Sequence, residues 1–230
     1  MSGTTFVYLV LALVAVGVLA GCGAATGSGD ALTTKTPVQI LTAARAAAEG
    51  AATVHVAGSI LGRRPPISVD MRLVSGKGGK GRVQLEGISV ALVNVDNSVY
   101  INSDAAFYRR FAPPRVAQRL SGRWLKGSVR GAALRAFAAL TDLRTLLATL
   151  LNAHGPLERG PDTTVSGEPV IALRDRALDG TLYVSRQGAP YPLEILTRGG
   201  RGKLVLDGWN KPVSLEPPAG AINIKQLQRR

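Results

Sequence analysis

Side chains able to do chemistry are few in this 230-residue chain, which holds 2 His and 1 Cys. His55 stands between two valines in "TVHVAGSI". His154 sits in "LNAHG", at a helix end where the dipole favours an imidazolium. Two histidines and one thiol cannot build a usual zinc site, and no "GxSxG" elbow raises a serine. Asp70, Glu86, Asp175, Asp179, Glu194 and Asp207 are scattered over strands and turns, without the pairing that glycoside chemistry needs. "GKGGKG", Gly76 to Gly81, falls between two strand patterns instead of before a helix, so it reads as a turn and not a phosphate loop. The inventory points away from an enzyme and implies neither metal nor cofactor.

The single thiol is better placed for modification. It follows Phe6 to Ala20, "FVYLVLALVAVGVLA", an apolar run of 15 residues. That is short of the roughly 20 a membrane-spanning helix needs, and it suits the apolar region of an export signal. No Lys or Arg precedes the run: either the free amino terminus supplies its positive charge, or translation starts upstream of Met1. "LAGC", Leu19 to Cys22, resembles the bacterial lipobox, in which diacylglycerol is attached to the thiol and the signal is cut just before it. "GAATGSGD" then serves as a flexible tether. The expected division is a signal at 1–21, a tether with lipidated Cys22 at 22–35 and one domain at 36–230. Such a protein sits on the outer face of the cell membrane, held by its acyl chains.

Charge is the second feature. The formal net charge is +13, and residues 1–21 carry none of it. Arg109, Arg110, Arg115, Arg119, Arg123, Lys126, Arg130 and Arg135 run without one acid between them, interleaved with Phe107, Tyr108, Phe111 and Trp124. Basic residues with aromatics between them can hold single-stranded nucleic acid, but export places the chain where nucleic acid is scarce. Two other readings stand: a rim that meets anionic headgroups and an acidic leaflet, through Arg109, Arg110, Arg115, Arg119, Arg123 and Lys126, or a solvated face.

The elements that must position these groups show in the periodicity. "TPVQILTAARAAAEG" reads as a helix with Thr36 as cap, Pro37 in its first turn and Gly50 at its end. From Thr53 the period becomes two. "ISVDMRLV" sets Ile67, Val69, Met71 and Leu73 against Ser68, Asp70 and Arg72. "ISVALVNV" is apolar on both sides, as a strand covered on both faces would be. "SGKGGKG", "EG" and "DN" supply turn chemistry. "LTDLRTLLATLLNAHG" is a second helix, capped by Thr141 or Asp142, and residues 104–135 between show no clear period. Strands resume in "TTVSGEPVIALRD", "GTLYVSRQG", "YPLEILTR" and "GKLVLDGW". Nine to eleven strands result. Aromatics make up 5% of the chain against 46% for all hydrophobic residues, so the interior is aliphatic.

This layout resembles the mycobacterial LppX/LprG-type lipoproteins, relatives in fold of the LolA and LolB lipoprotein carriers. The likeness is carried by Leu19–Cys22, the opening helix running into "ATVHVAGSI", the meander "ISVDMRLVSGKGGKGRVQLEGISVALVNVDNSVYI", the return "GPDTTVSGEPVIAL" and the ending "LVLDGWNKPVSLEPP". It implies an α+β fold: a strongly curved antiparallel β-sheet, a half-barrel, closed on its concave side by helices. It also implies a hollow for the acyl chains of a lipid or lipoglycan, transport across the envelope, an export transporter as partner, and a monomer. On the residues alone, a filled core and an open hollow are equal alternatives. The lining candidates are Val69, Met71, Leu73, Val83, Leu85, Val90, Leu92, Leu182, Val184, Leu193, Ile195, Leu204 and Leu206 on strands. Leu143, Leu147 and Leu150 lie on the covering helix. Met71 and Trp209 could line a ligand, but residues of these types are more often plain packing. The non-carrying alternative is an envelope scaffold that binds a protein partner or an anionic membrane through its basic segment.

Overall fold

The computed structural model describes residues 32–60, 66–131, 134–153, 155–197 and 199–227. Cys22, the apolar run, most of the tether and His154 lie outside them. The folded body already includes Leu32, which is buried in the core cluster although it falls in the stretch read as tether.

Helix α1 spans Pro37–Glu49 and begins as its sequence dictates. Gln39 N–H donates to Thr36 Oγ1 at 3.3 Å, and Thr36 N–H donates to Gln39 Oε1 at 3.0 Å. This capping box satisfies two of the first-turn donors reciprocally. Ile40, Leu41, Ala44 and Ala48 form its buried stripe.

Then comes a meander of β1 (Thr53–Ile60), β2 (Ile67–Val74), β3 (Gly78–Leu85), β4 (Ile88–Val95) and β5 (Ser98–Asn102). Two short helices, α2 (Ala105–Tyr108) and α3 (Pro114–Leu120), lead to β6 (Leu125–Ser128). The roof consists of α4 (Arg135–Leu140) and α5 (Leu143–Leu150). The chain closes with β7 (Leu157–Arg159), β8 (Thr163–Val165), β9 (Glu168–Asp175), β10 (Gly180–Ser185), β11 (Pro192–Thr197), β12 (Gly202–Asp207), β13 (Ile222–Asn223) and α6 (Ile224–Leu227). The strands form one 13-stranded sheet in the order β13-β6-β5-β4-β3-β2-β1-β12-β11-β10-β9-β7, with β8 beside β9. The two blocks of strands join where β12 pairs antiparallel with β1, Val56 opposite Leu206. The fold is therefore the expected α+β curved sheet, unclosed, with helices on its concave side.

The strand count exceeds the expectation for local reasons. "TTVSGEPVIALRD" is two strands, because Ser166 and Gly167 both take positive φ, +50° and +84°. That conformation makes the two-residue hairpin turn whose twist matches its strands. Glu86–Gly87 and Asp96–Asn97 turn the same way. Strand β6 is too short for a period to show and is specified by its partner: Tyr100 pairs with Lys126 and Ile101 with Leu125.

Alternation decides the faces. Val54, Val56, Met71, Leu73, Val83, Val90, Leu92, Leu204 and Leu206 share one core with α1 and α5. Val93, Val95 and Tyr100 point the other way, under Trp124, Leu215 and Ala221. Strand β4 is thus covered on both faces, which accounts for its unbroken apolar run. On the outer face His55 lies between two carboxylates, Nδ1 at 2.8 Å from Asp207 Oδ1 and Nε2 at 2.9 Å from Asp70 Oδ1.

Gly58 permits the tightest bend. It sits on the concave side opposite Val69 and Leu204. With φ at +135°, a Cβ there would fall 2.0 Å from the Lys203 carbonyl oxygen. Neither the angle nor the space suits an L side chain. Gly58→Ala is expected to cost at least about 2 kcal/mol. In a chain of this size that lowers the thermal midpoint by roughly 4–8 °C. Scanning calorimetry of the two proteins checks it.

Candidate functional site

The helices do not fill the concave side. Over β1 to β4, beneath α2, α4 and α5, a hollow of ≈ 290 Å³ remains. Its wall is Val56, Ile60, Ile67, Val69, Met71, Val83, Leu85, Ile88, Val90 and Leu204 from the sheet, with Phe107, Ala136, Phe137, Leu140, Leu146 and Leu150 above. Among the described residues, Arg110 is the one charged side chain in that wall. A second hollow of ≈ 260 Å³ lies over β9 to β12, with Leu41, Leu157, Leu173, Leu182 and Ile195 in its wall. Ile60, Leu150 and Leu204 line both, so the hollows are two lobes of one groove divided at Leu150. The second lobe carries polar groups, Thr181, Thr197, Asn152 and Asp175. Thr197 Oγ1 is buried there without a hydrogen-bond partner.

Among the described residues, both walls reach one edge of the sheet, as the register shows. Ile60 pairs with Ile67, Ile67 with Leu85, and Leu85 with Ile88. In the other block Thr197 pairs with Gly202, Leu196 with Thr181, and Gly180 with Asp175. These pairs end their strands on a common rim. At that rim Arg110 forms an ion pair with Glu86 across the mouth of the first lobe.

Two fixings set the roof's position. At the end away from the rim, Asn94 Nδ2 donates to Thr141 Oγ1 at 3.0 Å, and the Thr141 hydroxyl lies 2.9 Å from the Ala138 carbonyl. Gly79 lets the roof approach there: a Cβ on it would stand 2.5 Å from Leu73 Cδ2 and 3.3 Å from the Thr141 carbonyl oxygen. Asp142 then caps α5, accepting from Thr145 N–H at 2.8 Å. Near the rim, Arg45 Nε donates to the Leu151 carbonyl at 2.9 Å, satisfying an acceptor at the end of α5. Helix α5 is therefore pinned at both ends and spans the space between.

The sequence candidates divide among three places. Val69, Met71, Val83, Leu85, Val90, Leu150 and Leu204 stand in the first lobe's wall; Leu182 and Ile195 stand in the second's, with Leu150 and Leu204 again. Leu73, Leu92, Leu143, Leu147, Val184 and Leu206 are instead fully buried in the packed core. Leu193 is half-buried in neither wall, beside the register shift where Tyr183 and Val184 meet β11. Phe107, Phe137 and Arg110 were not anticipated as lining, because their segment carries no legible period. Trp209 stacks on Tyr191 at 4.7 Å between ring centres, which places it in packing outside both lobes.

The basic run also divides. Arg109, Arg115, Arg119 and Arg123 are exposed around α2 and α3, beside the mouth. Lys126 does not join them: on β6 its ammonium lies over the Tyr100 ring at 5.4 Å, on the outer face. The corner is rigid. Asp104 caps α2, accepting from Phe107 N–H at 2.9 Å, and Tyr108 donates its hydroxyl to the Arg123 carbonyl at 3.2 Å. Burial, with the nearby Asp104 charge adding, holds the Tyr108 phenol above its ordinary pKa.

No family model matches the sequence, and no curated protein matches it. Among solved structures, LprF from Mycobacterium bovis aligns with a TM-score of 0.54 at 15% identity, covering 80% of this chain and 97% of that one. An uncharacterized conserved protein from Thermus thermophilus aligns at 0.39 and 11% identity, covering 83% and 99%. A LolA superfamily protein from Nitrosomonas europaea aligns at 0.25 and 9% identity, covering 80% and 95%. The LprF alignment shows a shared fold; the other two are too loose to add to it.

Thr141→Val removes the hydroxyl that the buried Asn94 amide needs. A loss of about 1–3 kcal/mol is expected. A lower urea midpoint and faster amide exchange along α5 are the measurements that check it.

Proposed function

We propose that this protein is an envelope lipoprotein, anchored through Cys22, that shelters the acyl part of a lipid or lipoglycan in the two-lobed groove and hands it on. The observation that carries the reading is the first lobe, ≈ 290 Å³ walled by hydrocarbon with Arg110 as its single charge among the described residues. A wall of Val, Leu and Ile leaves such a space wet only reluctantly, and aliphatic chains are its natural filling.

Energetics suit hand-over. A chain of about 16 carbons gains on the order of 10 kcal/mol on leaving water, at about 0.8 kcal/mol per CH₂. A bilayer offers the same gain, so exchange between groove and membrane is nearly neutral and reversible. The pair Arg110–Glu86 gives the mouth a cation for an anionic headgroup, since a phosphate arriving there can displace the Glu86 carboxylate. No bond is made or broken.

Solvent extraction and mass spectrometry of the full chain, purified from bacterial membranes, test the reading. Non-covalently held acyl lipid is expected, and Val69→Trp, which fills the first lobe, is expected to lower it roughly tenfold, the equivalent of about 1.4 kcal/mol. A wild-type chain free of such lipid overturns the proposal, as does full occupancy in a folded Val69→Trp protein.

A further inference from the structure

Apolar side chains are left in water on the same rim as the mouth. Phe111 is 75% exposed, Val116 38% and Leu85 37%. Phe111 is a fixed tip: its N–H donates to the Tyr108 carbonyl at 3.0 Å, as does that of Ala112, and Pro113 opens the next helix. Its ring meets Phe107 at 5.4 Å between centres, and Phe107 meets Phe137 at 6.2 Å. Phe107 and Phe137 line the first lobe, so this line of rings runs from the groove to the solvent.

Among the described residues, the unpaired charges around that tip are positive. Arg109, Arg115 and Arg119 are exposed beside it. Of the nearby acids, Glu86 is paired with Arg110 and Asp104 caps α2. A rigid apolar point ringed by unpaired guanidinium groups matches an anionic bilayer: the ring enters the headgroup boundary while the arginines stay on the phosphates. An acidic protein surface would use the charges but offer nothing for a protruding Phe. Helix α1 supports the orientation. Its C-terminal end leads into Thr53, at the end of β1 away from the rim, while Leu41 near its start lines the second lobe. Helix α1 therefore runs from the rim side toward the far end of β1.

We infer that the α2–α3 corner docks on an anionic lipid bilayer, with Phe111 inserted and Arg109, Arg115 and Arg119 on the headgroups, so that the groove opens onto the membrane. The inference deepens the carrier reading by naming the surface its mouth meets, and takes from that reading only the purpose of the contact.

Phe111→Trp reports insertion in the full chain reconstituted into phosphatidylglycerol or phosphatidylcholine vesicles, with the signal of Trp124 and Trp209 subtracted using the wild-type chain. The N-terminal attachment is common to both vesicle types, so a difference between them reports the corner. The expected result is a blue-shifted emission, quenched by brominated lipid, in phosphatidylglycerol. It is lost in phosphatidylcholine and at about 1 M salt, where the Debye length falls to about 3 Å. Neutralising Arg109, Arg115 and Arg119 to Gln should weaken it roughly a hundredfold, at about a fivefold loss per charge removed from the surface. A water-exposed emission in both vesicles overturns the inference. So does equal quenching in both, or a blue shift without vesicles that accompanies a doubled mass, which would make the corner a contact between copies. Extracted lipid is measured on the same samples. Docking without groove lipid sinks the carrier reading alone, and groove lipid without docking sinks this inference alone.

Discussion

A sheet lined with aliphatic side chains and a roof lined with leucines will collapse on each other unless something holds them apart. Here the separation is set by polar fixings at the two ends of α5. Asn94 holds Thr141 just before it and Arg45 holds the Leu151 carbonyl just after it. Between them α5 spans the concave face of a curved sheet, and space is left beneath the roof. Gly58 sharpens the curve by letting the β12 backbone approach where no side chain would fit.

That origin explains why the groove has two lobes. One helix cannot cover a concave face this wide, so α5 lies along its middle and Leu150 meets Ile60 and Leu204 below it. Space is left on either flank. The flanks differ chemically because different strand ends border them: the meander supplies only aliphatic residues, whereas the β9–β12 block contributes Thr181, Thr197 and Asp175. One flank is lined by hydrocarbon, and the other carries polar groups as well.

Charge is arranged with the same economy. The outer face pairs its charges locally, with Arg72 beside Asp70 at 3.6 Å and Lys203 paired to the buried Glu194 at 2.6 Å. The α2–α3 corner has no such balance, because its segment contains a single acid and that acid caps a helix. Positive potential therefore concentrates at the groove's mouth, where it bears on what approaches from outside.

Much of this was legible in the chain itself. The capping box at Thr36, the two-residue turns at Glu86–Gly87 and Asp96–Asn97, and the alternation from Val54 to Leu92 are local matters, and local sterics and hydrogen bonding specify them. They give the strands and their alternation, and hence the fold class. Periodicity set Val69, Val83 and Leu204 on the apolar face of their strands with Leu73, Leu92 and Leu206, and the structure turned that face inward. Periodicity could not separate the first three, which border a space, from the second three, which are packed against neighbours. That distinction depends on how far the roof stands from the sheet, a distance fixed by contacts between residues as remote as Asn94 and Thr141 or Arg45 and Leu151. The same holds for the basic run. Spacing grouped Lys126 with the arginines, but pairing of β6 with β5 turned it to the outer face, while Arg110 was turned into the groove by its partner Glu86. A residue's neighbours along the chain determine which way it points, and only the tertiary structure decides what it meets there, because packing is set by groups far apart in sequence.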